Sequence, residues 1–252
     1  DRDFKYAYDG LDRLTQADRG AQGGSWTSAV GGQKWALDML GNWETMWRDS
    51  DGDGNYEASE DQLRSHNFAN EIEDLTPVTG PPALPFAYDE AGNMTESPNP
   101  SGSSTMYYTH DAWNRLTSVK VGATPLGEYE YNALHWRTAK RARVGVGSDL
   151  DEMRLMYYSA NWQLLEERID RDWSGSGFVE DEKAQNFWGK RYIDDALLRR
   201  RDRDVGVGYE DAFHYLSDAQ FSAVAMVNAS NGRVVERTTY DAYGKARHHF
   251  GG

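Results

Sequence analysis

The sequence has no cysteine, which excludes a disulfide framework and thiol catalysis. It has no apolar run long enough to cross a bilayer as a helix, the longest candidate being Phe221 to Val227, so no membrane insertion is expected. It also lacks a basic excess: 27 Lys and Arg stand against 41 Asp and Glu, a net charge of −14. Nucleic acid is therefore not expected as a partner, because phosphate binding needs a basic footprint. An acidic surface instead favours solubility and attracts cations. The chain starts at Asp1 with neither an initiator Met nor a signal segment, and is read as an excised or processed piece of a longer chain.

What is present is aromatic. Of 252 residues, 38% are hydrophobic, and 15 Tyr and 9 Trp supply much of the area available for burial. Such rings, with an apolar body and a polar handle, suit half-wet sheet faces more than a compact aliphatic interior. Strands are expected rather than a helix bundle.

One pattern recurs: an aromatic-rich strand, then Tyr, His or Leu followed by Asp or Asn, a short turn and a second strand. Copies are Tyr8-Asp9-Gly10-Leu11-Asp12-Arg13-Leu14, Leu37-Asp38-Met39-Leu40-Gly41-Asn42-Trp43, His66-Asn67-Phe68-Ala69-Asn70-Glu71-Ile72 and Tyr88-Asp89-Glu90-Ala91-Gly92-Asn93-Met94. Three more are His110-Asp111-Ala112-Trp113-Asn114-Arg115-Leu116, Tyr131-Asn132-Ala133-Leu134-His135-Trp136-Arg137 and, more weakly, Tyr158-Ser159-Ala160-Asn161-Trp162-Gln163-Leu164. A unit of about 22 residues holds two strands with their turns. Asp or Asn at the strand end bonds backbone N–H groups two residues on, and Gly or Asn three positions later tolerates positive φ, so each copy is a predicted hairpin. The aromatics two residues before the Tyr, His or Leu position (Tyr6, Trp35, Phe86, Tyr108 and Tyr129) are expected to form ladders on one face.

A helix over 33–48 is the rival reading, because Trp35, Met39, Trp43, Met46 and Trp47 also fit a helical stripe. Gly41-Asn42 argues against it, being in the interior of that helix and at the turn of the repeat.

These residues resemble the YD repeats of the Rhs family, which has relatives in insecticidal toxin complexes and the teneurins. The later part is similar to the Rhs repeat-associated core in Trp188-Gly189-Lys190-Arg191-Tyr192-Ile193-Asp194-Asp195, Leu197-Leu198-Arg199-Arg200-Arg201-Asp202, Tyr215-Leu216-Ser217-Asp218-Ala219-Gln220 and Val234-Val235-Glu236-Arg237-Thr238-Thr239-Tyr240-Asp241-Ala242-Tyr243-Gly244. The resemblance implies long β-ribbons that spiral into a hollow shell, in several members around a C-terminal toxin, and a bacterial protein that is secreted or at the cell surface. The self-cleavage site and toxin tip that usually follow are not in this sequence. Gln220 stands where Gly is usual.

The sharpest chemical signal is Asp49-Ser50-Asp51-Gly52-Asp53-Gly54-Asn55-Tyr56-Glu57-Ala58-Ser59-Glu60, which matches a twelve-residue Ca²⁺ loop. Asp49, Asp51 and Asp53 fall at positions 1, 3 and 5, and Gly54 at the sharp turn. Asn55 would give its backbone carbonyl at 7, Glu57 would bind directly or through water at 9, and Glu60 would bind at 12. The plainer alternative is a solvated acidic loop.

Other signals point to structure. His66 and His110 take the Tyr position of the repeat, His135 has no evident partner, and His248-His249 lie near a polar chain end. No nucleophile elbow or zinc-ligand spacing is found, so no catalytic residue is assigned and the chain is read as not an enzyme. Arg137, Lys140, Arg141 and Arg143, and Arg199-Arg200-Arg201 with Arg203, are read as charge-paired sheet faces, or as contacts to acidic loops of another copy. Segments 17–32, 96–105, 144–151 and 172–184 read as hairpin loops.

The expectation is one all-β domain over 1–252, a curved or spiralling ribbon of antiparallel hairpins, with YD repeats over 1–165, the Ca²⁺ loop inserted at 49–60 and the core-like segment over 185–252. The expected function is a Ca²⁺-stabilised structural scaffold, its partners other segments of a longer parent chain or copies of itself. The alternatives are a wall segment of a toxin-enclosing shell, or an adhesive module that binds glycans through exposed Trp and Tyr.

Overall fold

The computed structural model describes residues 3–22, 26–51, 53, 55–56, 62–77, 86–100, 104–147 and 149–250. Among them all regular structure is β-strand. The first six strands are β1 (Asp3–Tyr8), β2 (Leu14–Gln22), β3 (Trp26–Leu37), β4 (Trp43–Asp49), β5 (Gln62–His66) and β6 (Ile72–Pro77). Next come β7 (Ala87–Tyr88), β8 (Met94–Pro98), β9 (Thr105–His110), β10 (Leu116–Val121), β11 (Thr124–Tyr131), β12 (Arg137–Ala142) and β13 (Glu152–Tyr158). The last are β14 (Leu164–Asp170), β15 (Glu182–Trp188), β16 (Ala196–Asp202), β17 (Asp211–Ser217), β18 (Ala223–Asn228), β19 (Val234–Tyr240) and β20 (Ala246–Phe250). β1 to β6 form one sheet and β7 to β20 another, both in chain order and neither closed. By contact density the chain divides into two units, Asp1–Tyr108 and Thr109–Gly252.

The all-β hairpin architecture read from the repeat is present. The rival helix over 33–48 is not: β3 ends at Leu37 and β4 begins at Trp43. Trp35 and Met46 are cross-strand partners, 3% and 4% exposed, whereas Met39 sits at the turn tip at 96%. The loop expected over 17–32 is largely strand, since β2 and β3 pair from Gln16↔Lys34 out to Gln22↔Trp26. Its small residues allow close backbone approach. A side-chain carbon on Gly32 would lie 2.8 Å from Asp18 Oδ1 and 2.9 Å from the Tyr56 hydroxyl.

Among the described residues nine hairpins share one turn, opened by Asp9, Asp38, Asn67, Asp89, Asp111, Asn132, Ser159, Asp218 and Asp241. The opening side chain accepts from the backbone N–H groups two and four residues on, at 2.8–3.2 Å. The opening N–H donates to the carbonyl of the closing residue four positions later, and the residue before that one has positive φ. This is a type I turn with a bulge, which matches the right-handed strand twist. Opening and closing side chains also complement each other: Arg13 Nε donates to Asp9 Oδ2 at 2.7 Å and Arg115 Nε to Asp111 Oδ2 at 2.7 Å. Where the opener is an amide, polarity is reversed, and Asn67 Nδ2 donates to Glu71 Oε2 at 2.7 Å.

Within each sheet the register between successive hairpins is constant. The residue three beyond each closing residue pairs with the residue four before the next opening one: Gln16↔Lys34, Thr45↔Leu63, Glu96↔Tyr107, Ser118↔Glu128, Ala139↔Leu155, Glu166↔Gln185 and Ala225↔Arg237. Leu198↔His214 obeys it too, counted from Asp195, the closing residue of the longer turn opened by Gly189. The recurring turns alternate with the variable connections, so differences in repeat length are absorbed between hairpins and never within the shared turn.

A side-chain bond recurs between five pairs of successive hairpins, one of them across the break between β6 and β7. The residue before the opening one reaches the carbonyl just past the closing residue of the preceding hairpin: Tyr88 to Ile72 at 3.2 Å, Tyr131 to Leu116 at 2.8 Å, Tyr158 to Arg137 at 2.9 Å and Tyr240 to Ala223 at 2.7 Å. Trp188 Nε1 does the same to Leu164 at 2.9 Å. Burial raises these four tyrosines above the ordinary phenol range, so their hydroxyls remain donors. The rings expected to form a ladder meet other neighbours, Tyr6 stacking on Phe4 at 5.9 Å, Trp35 meeting Trp43 at 5.6 Å and Tyr129 lying 5.1 Å from Arg137, while Arg115 lies 4.9 Å from the Tyr131 ring centre and Arg64 4.6 Å from Trp43.

Candidate functional site

β4 delivers Asp49 to the start of the acidic loop, where it is 2% exposed, while Asp51 and Asp53 are exposed. One carboxylate oxygen from each of the three lies within 4.8 Å of the others. Oxygens bound to one Ca²⁺ at about 2.3–2.6 Å are at most about 5 Å apart, so the three fit around a single ion. The loop's own turns hold them. Asp51 Oδ1 accepts from the Asp53 N–H at 3.1 Å, and Asp53 accepts from Asn55 N–H at 2.7 Å and Nδ2 at 2.9 Å. Those bonds, the backbone one foremost, hold the Asp53 carboxyl below its ordinary range.

Tyr56 ties the loop to the sheet. Its hydroxyl donates to Asp18 Oδ1 at 2.9 Å, and Lys34 Nζ lies 4.1 Å from its ring centre. Burial, then the bond to Asp18, pushes this phenol far up. Gly32, cross-strand partner of both Asp18 and Asp49, leaves the space that the Tyr56 hydroxyl fills. The structure thus brings together three of the six assigned ligands. Asn55 adjoins them, its side chain engaged with Asp53, and Glu57 and Glu60 lie outside the described residues.

The second feature is a buried ionic cluster in the unit Thr109–Gly252. Glu152 and Glu182 are 2% and 3% exposed. Arg171 bridges them, Arg201 Nε meets Glu182 Oε1 at 2.5 Å, and Arg154 Nε meets Glu152 Oε1 at 2.6 Å. Burial alone would raise the Glu182 carboxyl, but the bonds from Arg201 and Arg171 carry it below its ordinary range. A cavity of about 220 Å³ opens beside them, lined by Arg154, Arg171, Arg199, Arg201 and Glu182 with Ile169, Phe213 and Met226. Every charged group lining it is ion-paired, Arg199 with Glu167 at 2.9 Å. Of the two basic clusters, Arg141 meets Glu130 at 2.5 Å, Arg203 meets Asp211 at 2.9 Å, and Arg199 and Arg201 pair within the cluster just described, whereas Arg137 and Arg200 lie against aromatic rings and Arg143, past the end of β12, donates to the Gly147 carbonyl at 3.2 Å.

Sequence reasoning missed two members of the shared turn, opened by Asp218 and Asp241, because their flanks were read only as core-like sequence. It placed the glycine-like position at Gln220, whereas Phe221 carries the positive φ of 63°. The long turn after Trp188 was also unread. There Asp195, 1% exposed, accepts from Arg191 Nε at 2.9 Å and occupies the space beside Gly189.

No family model and no curated protein matches the chain. Solved structures do. A crystal structure of TcdB2-TccC3 without its hypervariable C-terminal region is similar at TM-score 0.46 and 11% identity, covering 98% of this chain and 15% of that one. The Photorhabdus luminescens Tc holotoxin pore is similar at TM-score 0.44 and 12% identity, covering 96% and 14%. A porin-like protein from Bacteroides uniformis gives TM-score 0.26 and 9% identity over 98% and 88%. The chain spans about 15% of the length of the toxin-complex chains it matches. All these TM-scores lie below 0.5, so the fold class rests on the strand pairing described above.

Proposed function

We propose that this chain is a non-catalytic wall segment of a larger YD-repeat shell, bacterial and secreted or at the cell surface, with Ca²⁺ bracing the loop at Asp49–Glu60. The observation that carries the structural reading is the nine-fold turn with one constant register, a geometry devoted to extending a sheet. The convergence of Asp49, Asp51 and Asp53 oxygens, in a unit that holds nineteen Asp and Glu against seven Lys and Arg, supports the metal. Bound Ca²⁺ would neutralise carboxylates that otherwise repel, and fix the connection between β4 and β5. The narrower reading, a shell around a toxin, draws on the core-like sequence over 188–244.

Calorimetric titration with Ca²⁺, paired with peptide-resolved hydrogen exchange, tests this. One site per chain is expected, lost in Asp49→Asn, with slow exchange through both sheets and with β4–β5 protected further by Ca²⁺. Absence of binding heat removes the metal from the reading. Fast exchange throughout, in saturating Ca²⁺, overturns the scaffold. The exposed turn-tip rings Trp113 and Trp162, 67% and 64% exposed, favour a glycan platform as the second reading. Glycan-array signal lost in Trp113→Ala with Trp162→Ala would support that reading instead.

A further inference from the structure

The ion pairs of the cluster between β13 and β16 do not balance. Arg154, Arg171 and Arg201 are three cations on two carboxylates: Arg154 meets Glu152, Arg171 meets both Glu152 and Glu182, and Arg201 meets Glu182. Arg199 and Glu167 close a pair of their own at 2.9 Å. Lys140, the cross-strand partner of Arg154, adds a cation that has no ion pair among the described residues. Glu210 and Asp211, the other carboxylates toward Arg201, are held by Arg203, through its backbone N–H at 2.8 Å and its Nε at 2.9 Å. The excess is also sorted by depth. The side chains of Glu152 and Glu182 are 3% and 4% exposed, whereas those of Arg154, Arg171 and Arg201 are 30%, 43% and 36% exposed. A molecule entering the cavity of about 220 Å³ therefore meets guanidinium groups, with the carboxylates beneath them. Donors are left over there too. Arg154 engages its carboxylate through Nε alone and Arg201 through Nε and Nη2, so both Nη groups of Arg154 and Nη1 of Arg201 have no acceptor among the described residues.

We propose that this cavity binds a small organic monocarboxylate, its carboxylate taking the unused N–H groups of Arg154 and Arg201 and its apolar body lying against Ile169, Phe213 and Met226. Guanidinium N–H groups form their strongest hydrogen bonds to planar anions, and a carboxylate can take two in parallel. One negative charge closes the bonded chain of three cations and two anions, where a dianion would overshoot it. The three apolar residues on the rest of the wall favour an organic acid over an inorganic ion, which would leave them against water. The volume sets the size of the guest, since cavities for drug-sized ligands are about 300–1,000 Å³. All of these residues belong to the unit Thr109–Gly252, so the site goes beyond the structural role above and does not depend on Ca²⁺.

Calorimetric titration of the 252-residue chain in chelator tests it, with benzoate as the probe, benzamide as its neutral counterpart and inorganic phosphate as an anion without an apolar body. Benzoate is expected to saturate one site per chain and to bind more weakly as salt is raised. Benzamide and phosphate should each bind at least about tenfold more weakly, the first for want of charge-assisted hydrogen bonds. Arg154→Gln should weaken benzoate about tenfold, as loss of such a bond does. Met226→Trp, which fills the cavity and leaves every charge in place, should abolish binding. Arg200→Gln, at a residue that lies against the Phe187 and Tyr209 rings, should leave it unchanged. Circular dichroism checks the fold of each variant. No saturable binding of benzoate to the native chain, benzamide or phosphate binding as tightly as benzoate, or full affinity in folded Met226→Trp overturns the proposal. Because no Ca²⁺ is present, failure of the metal reading leaves every one of these outcomes unchanged.

Discussion

The hydroxyl of Tyr131 donates to the carbonyl oxygen of Leu116 at 2.8 Å, joining two hairpins that share no turn. Tyr131→Phe keeps the ring and the Arg115 contact but leaves that carbonyl without its side-chain donor. A loss of about 1 kcal/mol is expected, read as a lower urea midpoint at unchanged slope. Tyr8→Phe should leave stability unaltered, because among the described residues the Tyr8 hydroxyl has no hydrogen-bond partner.

His135 and Trp162 hold φ of 64° and 67°, in the left-handed region, at exposed turn tips. Glycine adopts that conformation without the steric cost a side chain brings. His135→Gly and Trp162→Gly should each raise the melting temperature, by about 0.5–1 kcal/mol of stability. Gly41→Ala, at φ 95°, should lower it.

These turns also mark how far the sequence could be read. Asp or Asn followed by Gly41, Asn70, Gly92 or Asn114 announces its hairpin, because the residue types suit the conformation the turn imposes. Trp162 and Phe221 take the same conformation with no such suitability, since pairing on both flanks over-determines the backbone. The register between hairpins was illegible for a different reason. It is a relation between residues ten to nineteen positions apart, and connections of unequal length hide it. The metal loop was legible as a spacing of donor types. The placement of Tyr56 against Asp18 and Gly32 was not, because it depends on the β2–β3–β4 pairing.

Gly189 is expected to be intolerant of any side chain. An added carbon would stand 1.8 Å from Asp195 Oδ2, and Asp195 is 1% exposed and held by Arg191. Gly189→Ala should destabilise by about 1–3 kcal/mol. Adding Asp195→Ala should recover only part of the loss, since the bond to Arg191 goes with it. Thermal melts of the two variants check both statements.

Glu182→Gln should be more damaging than an ordinary surface change. It leaves Arg171 and Arg201 facing a neutral amide where they now meet a carboxylate 3% exposed. Loss of one partner from a buried pair, moderated by the solvent reaching both arginines, implies about 2–4 kcal/mol. Urea unfolding of the variant checks this, and Arg200→Gln serves as the comparison, since Arg200 contacts the Phe187 and Tyr209 rings.

Acid should unfold the chain from its turns as well as its ionic cluster. The carboxyls of Asp9, Asp38 and Asp111 lie below their ordinary range, through hydrogen bonds from Arg13, Asn42 and Arg115 respectively. A carboxyl depressed in the folded state contributes stability above its unfolded value, near pH 4, and loses it as pH falls through the folded value. Melting temperature should therefore be level from about pH 7 to 5 and fall below about pH 4. A variant with all three changed to Asn should show a shallower fall.

The constant pairing between hairpins gives this sheet something like a reading frame. Residues added or lost in the connections at 99–104 or 171–181 leave every downstream partner in place, because the ladder restarts from the next opening residue. One residue added between Gln163 and Arg168 would turn every later side chain of β14 to the opposite face, putting Arg168 where Ile169 is now 1% exposed and Ile169 where the buried Asp170 stands. Length drift is thus silent in one class of segment and disruptive in the other. Descendants of such a repeat would come to differ in spacing and composition long before they differ in fold.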